Sequence, residues 1–193
     1  LDICKAFEAR RSVRDYSEQS LTLDELSFLL WCTQGVQMIT DRPATLRPVP
    51  SAGARHAFET YLLLNRVEGL PPGLYRFEAL EHELFELDLS PAMIEGIPKA
   101  CRSSQPLAQN SAATFLWVAV AERMTWRYIE RGYRFLHLDA GHVCQNLYLA
   151  AEVVSCGVCA IGGYNDIDIN SLLGLDGEEL FVIYIASVGK KQL

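Results

Sequence analysis

Residues 10–17 read Arg-Arg-Ser-Val-Arg-Asp-Tyr-Ser, which places three arginines and two serines in eight positions near the start of the chain. A guanidinium group binds phosphate oxygens through two parallel, charge-assisted hydrogen bonds. A serine hydroxyl can bind a further oxygen of the same anion. The segment therefore predicts a site for one compact, doubly charged group such as a phosphate. A solvated basic turn after a short helix would explain the same residues.

The composition limits the classes of protein to which this segment can belong. The chain has 193 residues, of which half are hydrophobic and 21% are charged, and its formal net charge is −7. This length predicts one domain over residues 1–193. The negative charge argues against a nucleic acid as partner, because phosphate backbones require clustered positive charge.

The apolar runs of the chain predict no contact with a membrane. None approaches the roughly 20 residues that a membrane helix needs. The first residues also lack the apolar core of a signal peptide, so we expect a cytoplasmic protein. The sequence does not begin with methionine, which is typical of a trimmed chain.

The six cysteines favour structural thiols over a metal site. Cys156 and Cys159 have CxxC spacing, but a zinc site needs two more ligands and no second pair is suitably spaced. Most of the cysteines lie in apolar runs, where a free thiol behaves as a small hydrophobic side chain. We expect no metal, and a redox pair at Cys156 and Cys159 stays as an alternative.

The hydrophobic pattern predicts an α+β fold, because helices and strands follow one another without a regular βαβ repeat. Thr22 and Glu25 have the spacing of a capping box, and Gly35 provides a stop, so a helix is expected over residues 22–34. The other helices are expected over residues 3–9, 91–109 with breaks at Pro98 and Pro106, 125–154 and 168–173. Strands are expected over residues 59–67, 74–78, 83–87, 113–121, 158–161 and 180–188.

The long helix expected over residues 125–154 has an apolar stripe that is too wide for a helix on a surface. Such a helix is either central or contacts another subunit. Its polar members His142, Gln145 and Asn146 are expected to have structural roles. The stripe consists of Leu136, Ala140, Val143, Leu147, Ala150 and Val154, broadened by Leu149 and Val153.

Several stretches of the chain, in order, resemble the nitroreductase family of flavin mononucleotide (FMN) oxidoreductases. RRSVRDYS at residues 10–17 resembles the opening signature of the family. PSAGARH at 50–56, GLYRF at 73–77 and RGYRFLHLDAGHVCQNLYLAA at 131–151 are similar to its SagB-type branch. The sequence contains neither the glycine fingerprint of a Rossmann dehydrogenase nor the serine elbow of a hydrolase, which agrees with this resemblance.

The resemblance implies a set of cofactor-binding residues. The arginine segment would hold the FMN phosphate, the ribityl chain and the ring edge. Residues 50–53 would contribute to the flavin pocket, often from the partner subunit, and the backbone of residues 161–163 would donate to the flavin N5 and O4 edge. One of the last lysines would help to bind the phosphate. The full set is Arg10, Arg11, Ser12, Arg14, Pro50, Ser51, Ala52, Gly53, Ile161, Gly162, Gly163, Lys190 and Lys191.

The resemblance also implies a nitroreductase-like fold, with a central, mostly antiparallel sheet flanked by helices in an intertwined homodimer. The activity would be ping-pong hydride transfer from NAD(P)H through flavin N5 to a small organic acceptor such as a nitroaromatic or a quinone. Arg14 near the N1 and O2 edge would favour the reduced flavin. Hydride transfer requires no protein acid or base, so no catalytic side chain is assigned.

Other functions stay open at this point. One is a SagB-type dehydrogenase that oxidises a peptide azoline, and another is a flavin-binding protein without turnover. A third is a structural or interaction partner that has lost flavin, although the retained arginines and glycines argue against it. Azoline oxidation in this branch is expected to use a Lys-Tyr pair. Arg127 and Tyr128 lie at the corresponding place, and an arginine cannot act as a base near neutral pH.

Overall fold

The computed structural model describes residues 2–42 and 44–192. These residues form helices and strands in a mixed order without a regular repeat. The helices are α1 (Ile3–Ala9), α2 (Leu23–Gln34), α3 (Pro91–Ala100), α4 (Gln105–Asn110), α5 (Glu122–Tyr128), α6 (Arg131–Val153) and α7 (Asp166–Leu172). The strands are β1 (Met38–Ile39), β2 (Thr45–Leu46), β3 (Phe58–Leu64), β4 (Gly73–Glu78), β5 (Glu83–Leu87), β6 (Ala113–Val120), β7 (Cys156–Ile161) and β8 (Leu180–Lys190).

Six strands form one antiparallel sheet in the order β5-β4-β3-β6-β8-β7. Strand β6 lies in the middle, and β3 and β8 pair with it along its whole length. A continuous apolar run is typical of a strand that is buried on both faces. This arrangement confirms the α+β class with a mostly antiparallel sheet. Strands β1 and β2 form a separate two-stranded ribbon.

Helices cover both faces of the sheet, and the alternation of β6 distributes its side chains between them. Phe115 and Trp117 pack in the cluster that contains α2 and α6. Leu116 and Val118 pack in the opposite cluster, which contains residues of α3, α4 and α7. Among residues 2–42 and 44–192, no helix is both long and apolar enough to cross a bilayer.

The capping box at the start of α2 is confirmed. The hydroxyl of Thr22 accepts the Glu25 N–H at 3.2 Å, and the Glu25 carboxylate accepts the Thr22 N–H at 2.9 Å. Gly35 follows the last residue of the helix as expected. Because both local signals agree with the packing of Leu26 and Leu29, this helix was predictable from the sequence alone.

The single helix expected over residues 125–154 is wrong, because the structure contains two helices there. Ile129 ends α5 with φ 50° and ψ −139°, which no helix can contain. Gly132 at the start of α6 then packs so closely that an added Cβ would lie 3.1 Å from the backbone of Thr125. This close approach of the two helices requires the break.

The breaks expected in the helix over residues 91–109 are also misplaced. Pro98 lies inside α3, close to its end. The chain leaves the helix after Ala100, and Arg102 adopts a φ of 51°. Pro106 lies in the first turn of α4. Backbone N–H groups in a first turn have no acceptor within the helix, so a proline there costs no hydrogen bond. Strand β8 is longer than expected, so Lys190 lies in the sheet.

We predict that Ile129→Gly stabilises the protein. A β-branched residue at this φ is strained by about 1–3 kcal/mol, and glycine removes the strain at an entropic cost of about 0.5–1 kcal/mol. Ile129 is 75% exposed, so little packing is lost. The free energy of unfolding in urea should rise by about 1 kcal/mol. The control Ile129→Ala keeps the strain, and a glycine variant less stable than the alanine variant would contradict the explanation.

Candidate functional site

The arginine segment, residues 10–17, lies against the sheet where β7 and β8 pair. Ser12 forms a parallel bridge with Val158. The Val13 N–H donates to the Val158 carbonyl at 2.9 Å, and the Ser17 N–H donates to the Lys190 carbonyl at 2.9 Å. Two strands of the sheet therefore hold the backbone of the segment.

A pair of glycines allows this close docking. Gly157 of β7 and Gly189 of β8 lie opposite each other in the strand register. A Cβ atom at Gly157 would lie 2.5 Å from the Cβ of Val13, and one at Gly189 would lie 2.6 Å from Cγ of Tyr16. The Tyr16 hydroxyl is buried 2.8 Å from Oγ of Ser187. Burial raises the pKa of Tyr16 far above its usual range, so the hydroxyl stays protonated.

Tyr148 of α6 connects the arginine segment to β7. Its hydroxyl lies 3.1 Å from Oγ of Ser12 and accepts the Ala160 N–H at 2.9 Å. The guanidinium carbon of Arg10 lies 5.4 Å from the centre of its ring, within the range of a cation–π interaction. Sequence analysis missed this residue. Its only signal was a hydroxyl-bearing side chain next to the apolar stripe of the helix.

The three arginines of the segment have no counter-ion within the described part of the chain. Arg11 donates to the carbonyls of Glu8 and Arg10 at 2.8 and 2.7 Å. Arg14 lies 3.5 Å from the carbonyl of Ser12. Arg10, Arg11 and Arg14 thus place three uncompensated positive charges on one edge of an acidic protein. Such a cluster can bind a small anion.

Lys190 and Lys191, expected near the same anion, bind carboxylates instead. The Lys190 ammonium donates to the Glu25 carboxylate and, at 3.1 Å, to the Val154 carbonyl. Lys191 donates to Glu152 at 2.6 Å. Burial favours a higher pKa for Glu25, but the bonds from Lys190 and Thr22 lower it below its usual value. The two lysines therefore tie the end of β8 to helices α2 and α6.

The glycine loop that follows β7 is open. The side chain of Ile161 is buried in the sheet, whereas Gly162 and Gly163 are exposed. No atom of the described residues would lie within 4 Å of a Cβ at either glycine. Ser12 pairs with Val158, four residues before Gly162, and a strand rises about 3.3 Å per residue. The arginine segment and the glycine loop therefore border the same strand, about 13 Å apart.

Asp139 of α6 anchors the segment of residues 50–53. The Ser51 hydroxyl donates to Asp139 at 2.7 Å, and the Ala52 N–H donates to it at 3.1 Å. Burial raises the pKa of Asp139, although these hydrogen bonds oppose the shift. Pro50, the first residue of the segment, is exposed. Because the Ser51 hydroxyl already donates its hydrogen bond to Asp139, the side chain of Ser51 serves to shape the loop.

Arg127 and Tyr128 lie beside the same loop. Gly53 has a φ of 62°, and a Cβ there would lie 2.5 Å from the Tyr128 hydroxyl and 3.7 Å from Nε of Arg127. A side chain on residue 53 would therefore displace the tyrosine. The structure brings together two motifs that are 75 residues apart in the sequence, and Asp139, which holds the loop in place, was not foreseen.

The two parts of the expected flavin site contact different positions of α6. Tyr148 contacts the arginine segment and Asp139 contacts the loop of residues 50–53. These two residues are nine positions apart on α6, which corresponds to two and a half turns of about 3.6 residues. Their side chains therefore leave opposite edges of the helix.

The alternative of a redox pair finds no support in the position of the thiols. Cys156 and Cys159 are free and buried. They are three residues apart in β7, so their side chains point to opposite faces of the sheet. Burial raises the pKa of Cys156 to about 11, which keeps its thiol protonated and unreactive. Within residues 2–42 and 44–192, no group of three potential metal ligands comes together.

Comparison with known proteins gives a consistent result. The profile described as Nitroreductase family matches residues 7–190. A protein of Methanocaldococcus jannaschii, provisionally named a nitroreductase, is 32% identical over 94% of this chain and 87% of its own length. The crystal structure of a provisionally named nitroreductase from Anabaena variabilis has a TM-score of 0.80 and 32% identity over 99% of this chain. This chain spans only 38% of that protein.

Two further similarities concern a processing protein and a cofactor complex. The trifolitoxin-processing protein TfxB of Rhizobium leguminosarum bv. trifolii is 27% identical over 81% of this chain and 44% of its own length. A provisionally named nitroreductase from Desulfovibrio desulfuricans, crystallised in complex with FMN, shares the fold. Its TM-score is 0.67 and its identity 17% over all of this chain and 88% of its own.

We predict that Gly189→Ala destabilises the protein, because the new methyl group would overlap the ring of Tyr16. Overpacking of this kind costs about 1–3 kcal/mol, which should appear as a lower free energy of unfolding in urea. The control Gly162→Ala adds a methyl group in open space and should change this free energy by less than about 0.5 kcal/mol. Equal effects at the two positions would show that the glycine pair is not needed for docking.

Proposed function

The chain belongs to the nitroreductase family, and on this premise we propose that it is an FMN-dependent oxidoreductase. The observation that carries the proposal is the cluster of three arginines that have no counter-ion among the described residues and that Tyr148 and the glycine pair hold beside β7. FMN, when bound, supplies ping-pong hydride transfer at N5 from NAD(P)H to a small organic acceptor such as a nitroaromatic or a quinone.

The residues of this chain fit such a cofactor. Arg10, Arg11 and Arg14 provide the positive charge that a phosphate dianion requires. The hydroxyl of Ser12, oriented by Tyr148, provides one further hydrogen bond. The exposed Gly162 and Gly163 follow the same strand directly after Ile161 and leave space for a flat ring. We propose that the backbone N–H groups of residues 161–163 orient the ring edge.

Lys190 and Lys191 have an indirect role in this proposal. Their ammonium groups are already bound by Glu25 and Glu152. The carbonyl of Lys190 accepts the N–H of Ser17, so the ion pairs position the strand end on which the arginine segment docks. Their positive charges would still add to the field at a bound phosphate.

We propose that the protein acts as an intertwined homodimer. The loop of residues 50–53 and the arginine segment contact opposite sides of α6, which supports a site where the loop of a second copy reaches the flavin. Apolar side chains are also exposed on α1, α2 and α6: Ile3, Phe7, Trp31, Leu138 and Val153. Ile3, Trp31 and Val153 line one groove, which a second copy could fill.

A second candidate is a SagB-type dehydrogenase that acts on a peptide. The similarity to TfxB, whose name describes the processing of trifolitoxin, favours it. Tyr128 lies next to Gly53, where a proton donor would be available to a substrate. Arg127, however, stays charged near neutral pH and cannot accept a proton. We therefore propose the reductase direction first and assign no catalytic side chain.

A flavin-binding protein without turnover is the remaining alternative. Reduction of the bound flavin by NADH or NADPH distinguishes an oxidoreductase from it. We also propose a single FMN-binding domain and a cytoplasmic location. All six cysteines are free, which is typical of a reducing compartment.

Arg10→Ala should weaken the binding of FMN by about ten-fold to a hundred-fold, because a hydrogen bond to a charged group contributes about 1.5–3 kcal/mol. Fluorescence quenching of FMN by apoprotein measures this affinity. Lys5→Ala, which removes a nearby positive charge from the exposed side of α1, is the matched control and should bind FMN like the wild type. Unchanged binding by Arg10→Ala would refute the assignment of the phosphate.

Anaerobic mixing with NADH or NADPH should bleach the flavin absorbance of the loaded protein, and a nitroaromatic or a quinone should restore it. Initial rates at several acceptor concentrations should then give parallel double-reciprocal lines, since donor and acceptor use the site in turn. Flavin that neither nucleotide reduces would support binding without turnover. Reoxidation with neither acceptor would favour the peptide dehydrogenase.

A further inference from the structure

A cavity of about 580 Å³ lies in the other half of the sheet, between β3, β4, α5 and residues 44–56. It shares no lining residue with the arginine segment or the glycine loop. Four arginines and two glutamates line it, an excess of two positive charges in a chain with a net charge of −7. These residues are Arg47, Arg55, Arg76, Arg123, Glu59 and Glu78.

Two of the arginines share one carboxylate inside the cavity. The carboxylate of Glu59 accepts hydrogen bonds from Arg76 at 3.0 Å and from Arg123 at 2.5 Å. A carboxylate that bridges two guanidinium groups fixes both of them in place. Arg76 and Arg123 therefore form a rigid wall of the cavity, and together with Glu59 they retain one positive charge.

Arg47 is a further source of positive charge, because it forms no ion pair with the described residues. It donates to the side chain of Gln34 at 2.7 Å, to the Gln34 carbonyl at 3.2 Å and to the Thr45 hydroxyl at 3.3 Å. In the part of the chain that the structure describes, neither a carboxylate nor any acceptor for its Nη2 group is within reach. Burial, together with the charge of Arg123, lowers the pKa of Arg47, although the carboxylates of Glu59 and Glu78 oppose the shift. A half-buried charge without a counter-ion is costly, and an anion would offset this cost.

Two neutral polar groups of the lining also lack partners. Oγ1 of Thr60 and Nδ1 of His56 are buried and form no hydrogen bond with the described residues. Only 2% of Thr60 and 7% of His56 is exposed. Burial, and then the charge of Arg47, lowers the pKa of His56 to about 4, so its ring is neutral at neutral pH. A hydroxyl and a neutral imidazole can each donate one hydrogen bond to an oxyanion.

The loop that delivers His56 is strained. Ala54 and His56 adopt φ values of 52° and 45°, which side-chain-bearing residues rarely do. The Ser51 hydroxyl, itself bound to Asp139, accepts the His56 N–H at 2.9 Å and keeps the loop in this conformation. Strain of this kind concentrates at ligand sites, where the surrounding structure maintains it.

Aromatic rings complete the wall of the cavity. Phe58 and Phe77 line it from the sheet, and Trp126 lines it from α5. The guanidinium of Arg55 stacks over Trp126 at 5.3 Å. The cavity therefore combines a positively charged, hydrogen-bonding region with apolar surfaces for the body of a ligand.

We propose that this cavity binds a small ligand in which a carboxylate or phosphate group is attached to an apolar body. Arg47, Thr60 and His56 bind the oxyanion. Phe58, Phe77 and Trp126 contact the apolar body. The site shares no residue with the proposed flavin-binding set, although it adjoins the loop of residues 50–53 through Ala54 and His56, and it does not depend on bound FMN.

Calorimetric titration of the purified protein in phosphate-free buffer tests the chemistry of the ligand. The probes are benzoate, phenyl phosphate and benzamide, which replaces the carboxylate of benzoate by a neutral amide. At least one of the two anions should bind at least ten-fold more tightly than benzamide, and the tighter one identifies the oxyanion. If neither anion binds, or if benzamide binds equally well, the proposal is overturned.

Variants locate the binding in the cavity. Arg47→Gln should lower the affinity for the preferred anion at least ten-fold. The control Arg42→Gln removes an exposed charge from the same loop, outside the lining, and should have no effect. Thr60→Val should lower the affinity for the anion several-fold while preserving or raising the melting temperature. This variant keeps the test valid if Arg47→Gln folds poorly. Wild-type affinity in Thr60→Val and in a folded Arg47→Gln would contradict the proposal.

Flavin content measured in the same samples separates this inference from the proposed function. Anion binding by protein that cannot retain FMN would leave the cavity assignment intact and overturn only the flavin site. Wild-type protein that contains flavin but binds neither anion would overturn the cavity assignment and leave the flavin site intact.

Discussion

The docking of residues 10–17 on the sheet is the constraint on which the proposed site depends. The side chains of Val13 and Tyr16 occupy space that any residue other than glycine would fill at positions 157 and 189. Because this space is free, the backbone of the segment bonds to β7 and β8, and Tyr148 reaches Ser12. The arginines then project from a rigid edge, so a bound anion would not have to order them first.

The acidic chain uses its positive charges in two different ways. Lys190 and Lys191 are paired with carboxylates and connect β8 to two helices. Both pairs are largely buried, so the loss of hydration offsets much of their attraction, and their main effect is to position these elements. The arginines of the segment and Arg47 have no such partner among the described residues. We propose that a ligand supplies negative charge at each of these two places.

Local signals predicted most of the fold. The capping box of α2, the hairpin of β4 and β5 and the apolar strand β6 appear as expected, because local preference and packing agree there. The break at Ile129 was not predictable, since it follows from the contact of Gly132 with the preceding helix. In the site, residue types and resemblance identified the arginines and the glycine loop. The roles of Tyr148 and Asp139, and the carboxylate partners of the last lysines, depend on contacts between distant parts of the chain, which no local pattern encodes.

The central claim is that the arginine segment binds the phosphate of FMN. Comparing the affinities of the apoprotein for FMN and for riboflavin tests it most directly, because the two ligands differ only in that phosphate. We expect FMN to bind at least a hundred-fold more tightly at low salt, with the difference shrinking as salt screens the charges. Equal affinities for the two flavins would contradict the claim, whatever activity the protein has.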